Sequence, residues 1–464
     1  MSLKILFTNN SGHKNGHVSI GFVSGSSTAA FNISIIGSGA AVSPLNVNAA
    51  GSYPFDGNWY TLDEVSQGVE ISSFSGRIYV AYGPTWAVQS AHYEPAQAVT
   101  DPNFYLRYDK MELTFTGSSS DVADLTSIDY WSIPLSLSTS LKGVQQQTIS
   151  GLLNGKTAGQ LQAALTALTT PPVSGLPGLP GNDGKPLPAL VPGEFVKFNN
   201  NSPTPGDSFA RIIGPSSYPS INPVGIPVFP YLTYHAYLTY LATTFGPGTT
   251  VGKVVPGLGN GAIAVVAGHF AGVSSGNGAP PPSSGPQSPQ WYLALATIDA
   301  SLDVTVSGLL IGNNFALSSF SLEFKAADML NPSGIYGGNT PYYLPGAVTP
   351  TLPGNDVYGW VCGDLWSGFN IGAVGSQAPA AASPHVMVGE LPSSKWFSLP
   401  VSSFFAQMQP NQPFYNQWAA TLSQYSQAYN FAYSDRFSPV LVNIGPQSAD
   451  TLTLILDQDN VVNS

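Results

Sequence analysis

Charge is scarce in this chain. Asp, Glu, Lys and Arg make up 8% of its 464 residues, against roughly 25% in ordinary soluble domains. Only 14 Lys and Arg stand against 25 Asp and Glu, a net charge of −11. Neutralising a phosphate backbone takes a basic patch that so few cations do not easily supply, which argues against nucleic acid and anionic membrane surfaces as partners. Cysteine is nearly absent as well. Cys362 alone makes no intramolecular disulfide, and the redox compartment stays open. Six scattered His and one Cys give no metal-ligand set, and no cofactor is expected. No run of about 18 apolar residues occurs, so no transmembrane helix is expected. The start, Met1-Ser2-Leu3-Lys4 followed by Ile5-Leu6-Phe7, is too short an apolar run for a signal peptide.

What the chain does contain is apolar and turn-rich: 43% hydrophobic residues, 49 Gly and 40 Pro, with Ser, Thr, Asn and Gln carrying the polar load. Ser/Thr-rich strands joined by Gly/Pro turns produce that composition, and long Glu/Lys helices do not. A mainly β protein is expected. A charge-poor surface suits a neutral polymer such as a polysaccharide, and aromatics at 11% supply rings able to cover sugar C–H groups, although most rings serve as core.

From the start to about residue 160, short alternating runs recur between turn residues: Val18–Val23, Gly76–Tyr82 and Met111–Phe115. A helix is expected at Thr157–Leu168. Pro/Gly-rich loops are expected over 170–194 and 274–290, the first too short to sustain the collagen geometry that its triplets mimic. Between them Arg211-Ile212-Ile213 reads as a strand. Tyr231–Phe245 has apolar residues at helical spacing, its tyrosine face expected in the core, and Ala262–Ala267, Trp291–Ile298 and Phe315–Phe324 read as strands. The organisation expected is a β-domain over 1–199, an inserted α+β unit over 200–328, and a return to the β-domain over 329–464, with a helix at Pro413–Tyr429 and a strand at Thr451–Leu456.

The segment Tyr108–Pro134 holds the candidate chemistry. As a strand, Asp109, Met111, Leu113 and Phe115 share the core face, and Lys110, Glu112, Thr114 and Thr116 the wetter one. After a polar turn, a second strand from Thr126 would place Asp129 on a face with Ser127 and Trp131. Two neighbouring strands would then aim a Glu and an Asp into one groove. Glycoside hydrolysis needs such a pair, an acid to protonate the leaving oxygen and a carboxylate to activate water or attack carbon. The acid's surroundings should raise its pKa and the partner's should not.

The residues of this segment, Asp109-Lys110-Met111-Glu112-Leu113-Thr114 followed by Thr126-Ser127-Ile128-Asp129-Tyr130-Trp131-Ser132-Ile133-Pro134, resemble the D-x-x-E-x-T and T-x-x-D-x-aromatic-G-x-P signature of glycoside hydrolase family 64, the laminaripentaose-producing β-1,3-glucanases. Ser75–Val80, Arg211–Pro215 and Tyr429–Asp435 match the family's style in the right order. The resemblance implies a thaumatin-like β-barrel with a mixed α/β domain and a wide cleft, an inverting mechanism, Glu112 as general acid and Asp129 as general base. It implies sugar contacts at Thr114 and Thr126, an acidic cleft position at Asp435, and an extracellular monomer acting on β-1,3-glucan. Thr116 stands where the family has an amide and Ser132 where it has Gly, and the family's aromatic between the two acids has no counterpart, Val122 or its neighbours standing in its place. The Glu-to-Asp interval of 17 is one residue longer than usual. These departures bear on substrate register and product length. They also support a second reading, a non-catalytic glucan-binding protein on the same scaffold, beside a third, an exported structural or adhesive β-protein.

Other signals are set aside. Gly272-Val273-Ser274-Ser275-Gly276 fits a nucleophile elbow but leads into a Pro-rich loop, and Gly257–Gly261 precedes a strand rather than a helix. His13 and His17 sit in a Gly/Asn loop without acidic context, and Cys362 is expected as a small packed residue. Trp86, Trp131 and Trp366 are candidate sugar-stacking rings.

Overall fold

The computed structural model describes residues 2–25, 31–46, 58–90, 93–97, 101–104, 106–169, 209–217, 234–247, 261–269, 289–312, 315, 317–331, 333–354, 356–380, 383–396, 399, 404–436 and 440–461. The 170–194 stretch, residues 274–288 of the second loop, the Gly272–Gly276 motif, 257–260 of the Gly257–Gly261 turn and the start of the Tyr231 segment lie outside them. The chain divides into two compact units. The first takes in 1–226, 421–430 and 439–464, and the second 227–420 and 431–438.

The first unit is mainly β. In chain order its strands are β1 (Leu3–Asn9), β2 (Val18–Ser24), β3 (Phe31–Ile35), β4 (Tyr60–Thr61), β5 (Val69–Tyr82), β6 (Tyr108–Phe115), β7 (Val122–Leu125), β8 (Tyr130–Trp131), β9 (Leu135–Leu141), β10 (Val144–Ile149) and β11 (Ile212–Ile213). Far along the chain, β18 (Leu441–Asn443) and β19 (Thr451–Leu456) join the same unit. The main sheet runs β10-β9-β19-β1-β5-β6-β7-β18. It nearly closes, because the Asn443 amide at one end of that path donates to the Gln147 side chain at the other, at 2.7 Å.

Closure depends on β5. Its first residues pair with β1 and β3, and its later ones with β6 and β2, so one 14-residue strand serves two directions of sheet. Gly76 permits this, since a Cβ there would stand 2.1 Å from the Val23 carbonyl oxygen of β2. The core is the alternating inward set: Leu3 and Ile5 of β1, Val69 and Ile71 of β5, Met111, Leu113 and Phe115 of β6, and Leu452, Leu454 and Leu456 of β19. Each such side chain contributes roughly 1.5–3 kcal/mol by leaving water. The helix expected near Thr157 spans Ala158–Thr169, with the Thr157 hydroxyl accepting the Gln160 amide at 3.2 Å.

The second unit carries a four-stranded antiparallel meander, β12 (Ala262–His269), β13 (Pro289–Ile298), β14 (Val304–Gly312) and β15 (Leu317–Phe324), and a two-stranded pair, β16 (Pro379–Ala380) and β17 (Ser383–Met387). Helix His235–Phe245 buries Tyr237, Leu238, Leu241 and Phe245 in the same core, as its spacing predicts. This unit is larger than the insertion expected over 200–328, and 329–420 does not return to the barrel. The reason is helix Val357–Ile371, which the sequence reading missed. It buries every residue but Trp360, including Cys362. A helix apolar all round has no amphipathic stripe to betray it and must sit inside a core. Its ends are well marked, however. The Asp356 carboxylate accepts the Gly359 amide, and Gly372 closes it at a φ of 83°.

A second correction concerns Pro413–Tyr429, where only Gln417–Leu422 is helical. Beyond it the Gln427 amide donates to the Ser150 carbonyl and the Tyr429 amide to that of Leu125. Backbone groups engaged with another element cannot continue a helix. Among the described residues, no helix is long and apolar enough to cross a membrane, and no group of three His, Cys, Asp or Glu is placed to hold a metal.

Candidate active site

Strand β6 alternates as its sequence predicts. Met111, Leu113 and Phe115 are buried, Glu112 is half-buried and Thr114 exposed. Lys110 departs from the wetter face expected of it and is buried, because Asp129 and the ring of Tyr130 cover it. In register with this face stand Arg77 and Tyr79 of β5, opposite Glu112 and Lys110 respectively, and Asp124 of β7, opposite Glu112 on the other side.

Two cations divide the acidic groups. Arg77 donates from Nε to Glu112 Oε1 at 2.8 Å and from Nη1 to both oxygens of Glu94, at 2.5 and 2.6 Å. The Tyr79 hydroxyl donates to Glu94 Oε2 at 2.6 Å. Burial works against the guanidinium charge, and Glu94 and Glu112 outweigh it and hold Arg77 protonated. Lys110 Nζ lies 3.2 Å from Asp129 Oδ2. Burial raises the Asp129 carboxyl, but the Lys110 ammonium, with Arg77 and the Ser217 hydroxyl, more than offsets this and holds it below the usual aspartate range. Reciprocally, Asp129, with Glu112 and Glu94, overcomes the burial that would discharge Lys110.

Asp129 does not lie in a strand, as expected, but in a bend between β7 and β8. Three ties hold that bend. β8 pairs with β11, the Gly214 amide donates to the Asp129 carbonyl at 2.7 Å, and the Ser216 hydroxyl donates to the Ile128 carbonyl at 3.0 Å. The Ser216 and Ser217 hydroxyls approach Asp129 Oδ1 at 3.4 and 3.3 Å. Just past Asp129, the amides of Ser132 and Ile133 donate to Asp109 Oδ2, both at 2.9 Å. Asp109 thereby ties the chain of Asp129 to the strand of Glu112. Burial raises its carboxyl to about 6 despite the amides of Ile133, Lys110 and Ser132, which favour the charged form.

The remaining predicted residues fall in different settings. The Thr114 hydroxyl shares a 3.0 Å hydrogen bond with Ser75 beside Glu112. Thr116 serves the turn after β6, where its hydroxyl and amide both donate to Asp121. Thr126 is buried and bridges to Tyr429. Trp131 is 3% exposed and packs on Phe209, so its ring is core, not a sugar platform. The bend at Asp129 breaks the strand alternation from which its outward face was inferred. Trp86 and Trp366 are likewise buried. His13, expected without acidic context, lies 3.8 Å from Asp459, which also binds Arg107. Asp435 belongs to the second unit, where it lines a cavity of about 790 Å³ with His269, Trp360, Ser394 and Tyr433. Glu94, Arg77, Lys110, Ser216 and Ser217 were missed as site residues. Arg77 and Lys110 lie inside motifs the sequence singled out, but only the strand register shows which acid each one meets.

A glutamate on β6 and an aspartate in the bend after β7, each tied to its own cation, make a carboxylate pair of the kind glycoside hydrolases use. Residues 1–213 match the model of glycoside hydrolase family 64, described as beta-1,3-glucanase. The matched region is that of the family its motifs resemble, and the class is that of the glycoside hydrolases. Among solved structures, the chain is similar to a laminaripentaose-producing β-1,3-glucanase in complex with laminaritetraose, at 16% identity and a TM-score of 0.53, covering 99% of both chains. It is also similar to a β-1,3-glucanase domain from Clostridium beijerinckii, at 12% identity and a TM-score of 0.56, covering 98% of both. At these identities the likeness is one of fold. No curated protein sequence matches the chain.

Proposed function

We propose that the protein hydrolyses β-1,3-glucan with inversion, releasing laminari-oligosaccharides by endo or processive cleavage, with Glu112 as general acid and Asp129 as general base. The observation that carries this reading is the pairing of the two carboxylates with different cations on one side of β6. Lys110 and the serine hydroxyls keep Asp129 charged and oriented, as a base must be. Among the described residues the bond to Glu112 falls on Oε1 and none on Oε2, which leaves one oxygen for the proton.

In the step proposed, Glu112 gives its proton to the glycosidic oxygen as the bond to the anomeric carbon breaks. Asp129 takes a proton from the water that attacks the opposite face. The sugar leaves inverted, and the two carboxyls return to their starting states by exchange with solvent. Such a geometry has the carboxyls about 6.5–9.5 Å apart, room for one water. The Ser75–Thr114 hydroxyl pair offers sugar contacts beside the acid. Within the second unit, the cavity lined by Trp360 and Asp435 is a separate candidate for holding a sugar. An extracellular monomer fits a polymer substrate.

A product assay tests the reading. The protein and its Glu112→Gln variant are incubated with long-chain β-1,3-glucan, and the soluble products are resolved by chromatography. Discrete oligosaccharides from the unaltered protein alone are expected. Glucan retained by both proteins without release would replace the hydrolase with a binding protein on the same scaffold.

A further inference from the structure

Glu94 reaches the site from the long connection between β5 and β6, and no motif marks it. The connection is shaped for delivery. The Tyr93 hydroxyl donates to Asp101 at 2.7 Å, the Ala96 amide donates to the same carboxylate at 2.9 Å, and the Tyr93 ring packs on Trp86, which packs in turn on Tyr79. Glu94 is thus held between two braced residues, with both of its oxygens on Arg77 Nη1 and one also on the Tyr79 hydroxyl. The same guanidinium reaches the proposed acid through its Nε.

We infer that Glu94 is a positioning residue for the reaction, one that occupies Arg77 so that Glu112 can carry the proton it must deliver. The inference rests on the reading of Glu112 as the acid. Its logic is charge balance within the bonded set. With Glu112 protonated, the cations Arg77 and Lys110 face the carboxylates Glu94 and Asp129, and the set is neutral. Without Glu94 that same state carries a net positive charge beside Glu112, which favours loss of its proton. Asp124 of β7, opposite Glu112, adds one negative charge whether or not Glu94 is present, so losing Glu94 still leaves the surroundings of Glu112 one unit more positive. Burial keeps the phenols of Tyr79 and Tyr130 neutral, and Asp109 is engaged by the amides beneath β8.

The test is the pH dependence of kcat and kcat/KM on a laminari-oligosaccharide, compared between the unaltered protein and Glu94→Gln. The basic limb is expected to move to lower pH by about 1 unit or more, with the acid limb unmoved, since one charge within about 4–6 Å shifts a carboxyl by that much. Adding Arg77→Met to Glu94→Gln should bring the basic limb back up, because the unbalanced cation is then gone. On an aryl laminarioside whose leaving group needs no proton, Glu94→Gln should lose little. A Glu94→Gln profile that overlays the unaltered one after scaling, or a double variant no better than the single, would overturn the inference and leave Glu94 a structural contact. Undiminished activity in Glu112→Gln would instead overturn the acid assignment beneath it, so the two failures are told apart.

Discussion

Lys110 and Asp129, 19 residues apart in the chain, meet at 3.2 Å between Nζ and Oδ2, although only 6% of the lysine side chain is exposed against 43% of the aspartate's. A buried ammonium that points to a more open carboxylate sets the charge state of that carboxylate while leaving it reachable by water. This is the arrangement a general base requires, and the first prediction concerns it.

Replacing Lys110 by Met removes the cation that holds Asp129 below the usual aspartate range. The acid limb of the pH–rate profile is expected to rise by about 1–3 units. Lys110→Arg should keep most of the original limb. A limb unmoved in Lys110→Met, measured by initial rates from pH 3 to 8, would remove Asp129 from the role of base.

Asp109 predicts a pH dependence of stability. Burial raises its folded-state pKa to about 6, above the roughly 3.9 of an unfolded aspartate. The group's contribution is therefore fully present below about pH 4 and lost as pH rises through about 6, a change of about 3 kcal/mol by linkage. Urea unfolding at pH 4.5 and 7.5 should show this component, and Asp109→Asn should abolish it. Asp109→Ala should in addition destabilise by about 2–4 kcal/mol, because the Ser132 and Ile133 amides lose their acceptor.

In the second unit, a Cβ at Gly368 would lie 2.5 Å from the Trp396 ring, which is itself fully buried. Overpacking of that kind costs about 1–3 kcal/mol. Gly368→Ala should lower the thermal midpoint, and pairing it with Trp396→Phe should recover part of the loss.

Trp360 is the one residue of its helix not fully buried, packing against the core while it lines the cavity with Asp435. If the cavity takes sugar, Trp360→Ala should weaken retention of long glucan by roughly tenfold, the scale of a buried aromatic anchor, with little change in Tm. Unchanged retention in affinity electrophoresis would take the cavity out of substrate binding.

The legible parts of this protein are those governed by local pattern. The alternation in Tyr108–Phe115 puts Met111, Leu113 and Phe115 inside and Glu112 outside, and Thr451–Leu456 and Ala158–Thr169 form where their periods demand. Helix Val357–Ile371 escaped because burial on all sides erases the periodicity by which a helix is recognised. The Pro413–Tyr429 helix failed because Gln427 and Tyr429 give their amides to Ser150 and Leu125, distant partners that no local propensity records. Trp131 was misplaced because a bend, not a strand, carries Asp129.

The sequence by itself determined the β character, the charge poverty and the two carboxylates, since these follow from composition and from a period of two. Only the tertiary structure decided which cation each carboxylate meets. Glu94, Arg77 and Glu112 come together through the cross-strand register of β5 and β6 and a loop folded back upon it, and Lys110 meets Asp129 through a bend pinned by β11. Coulomb energies depend on ångström separations, and those are products of packing among residues far apart in the chain.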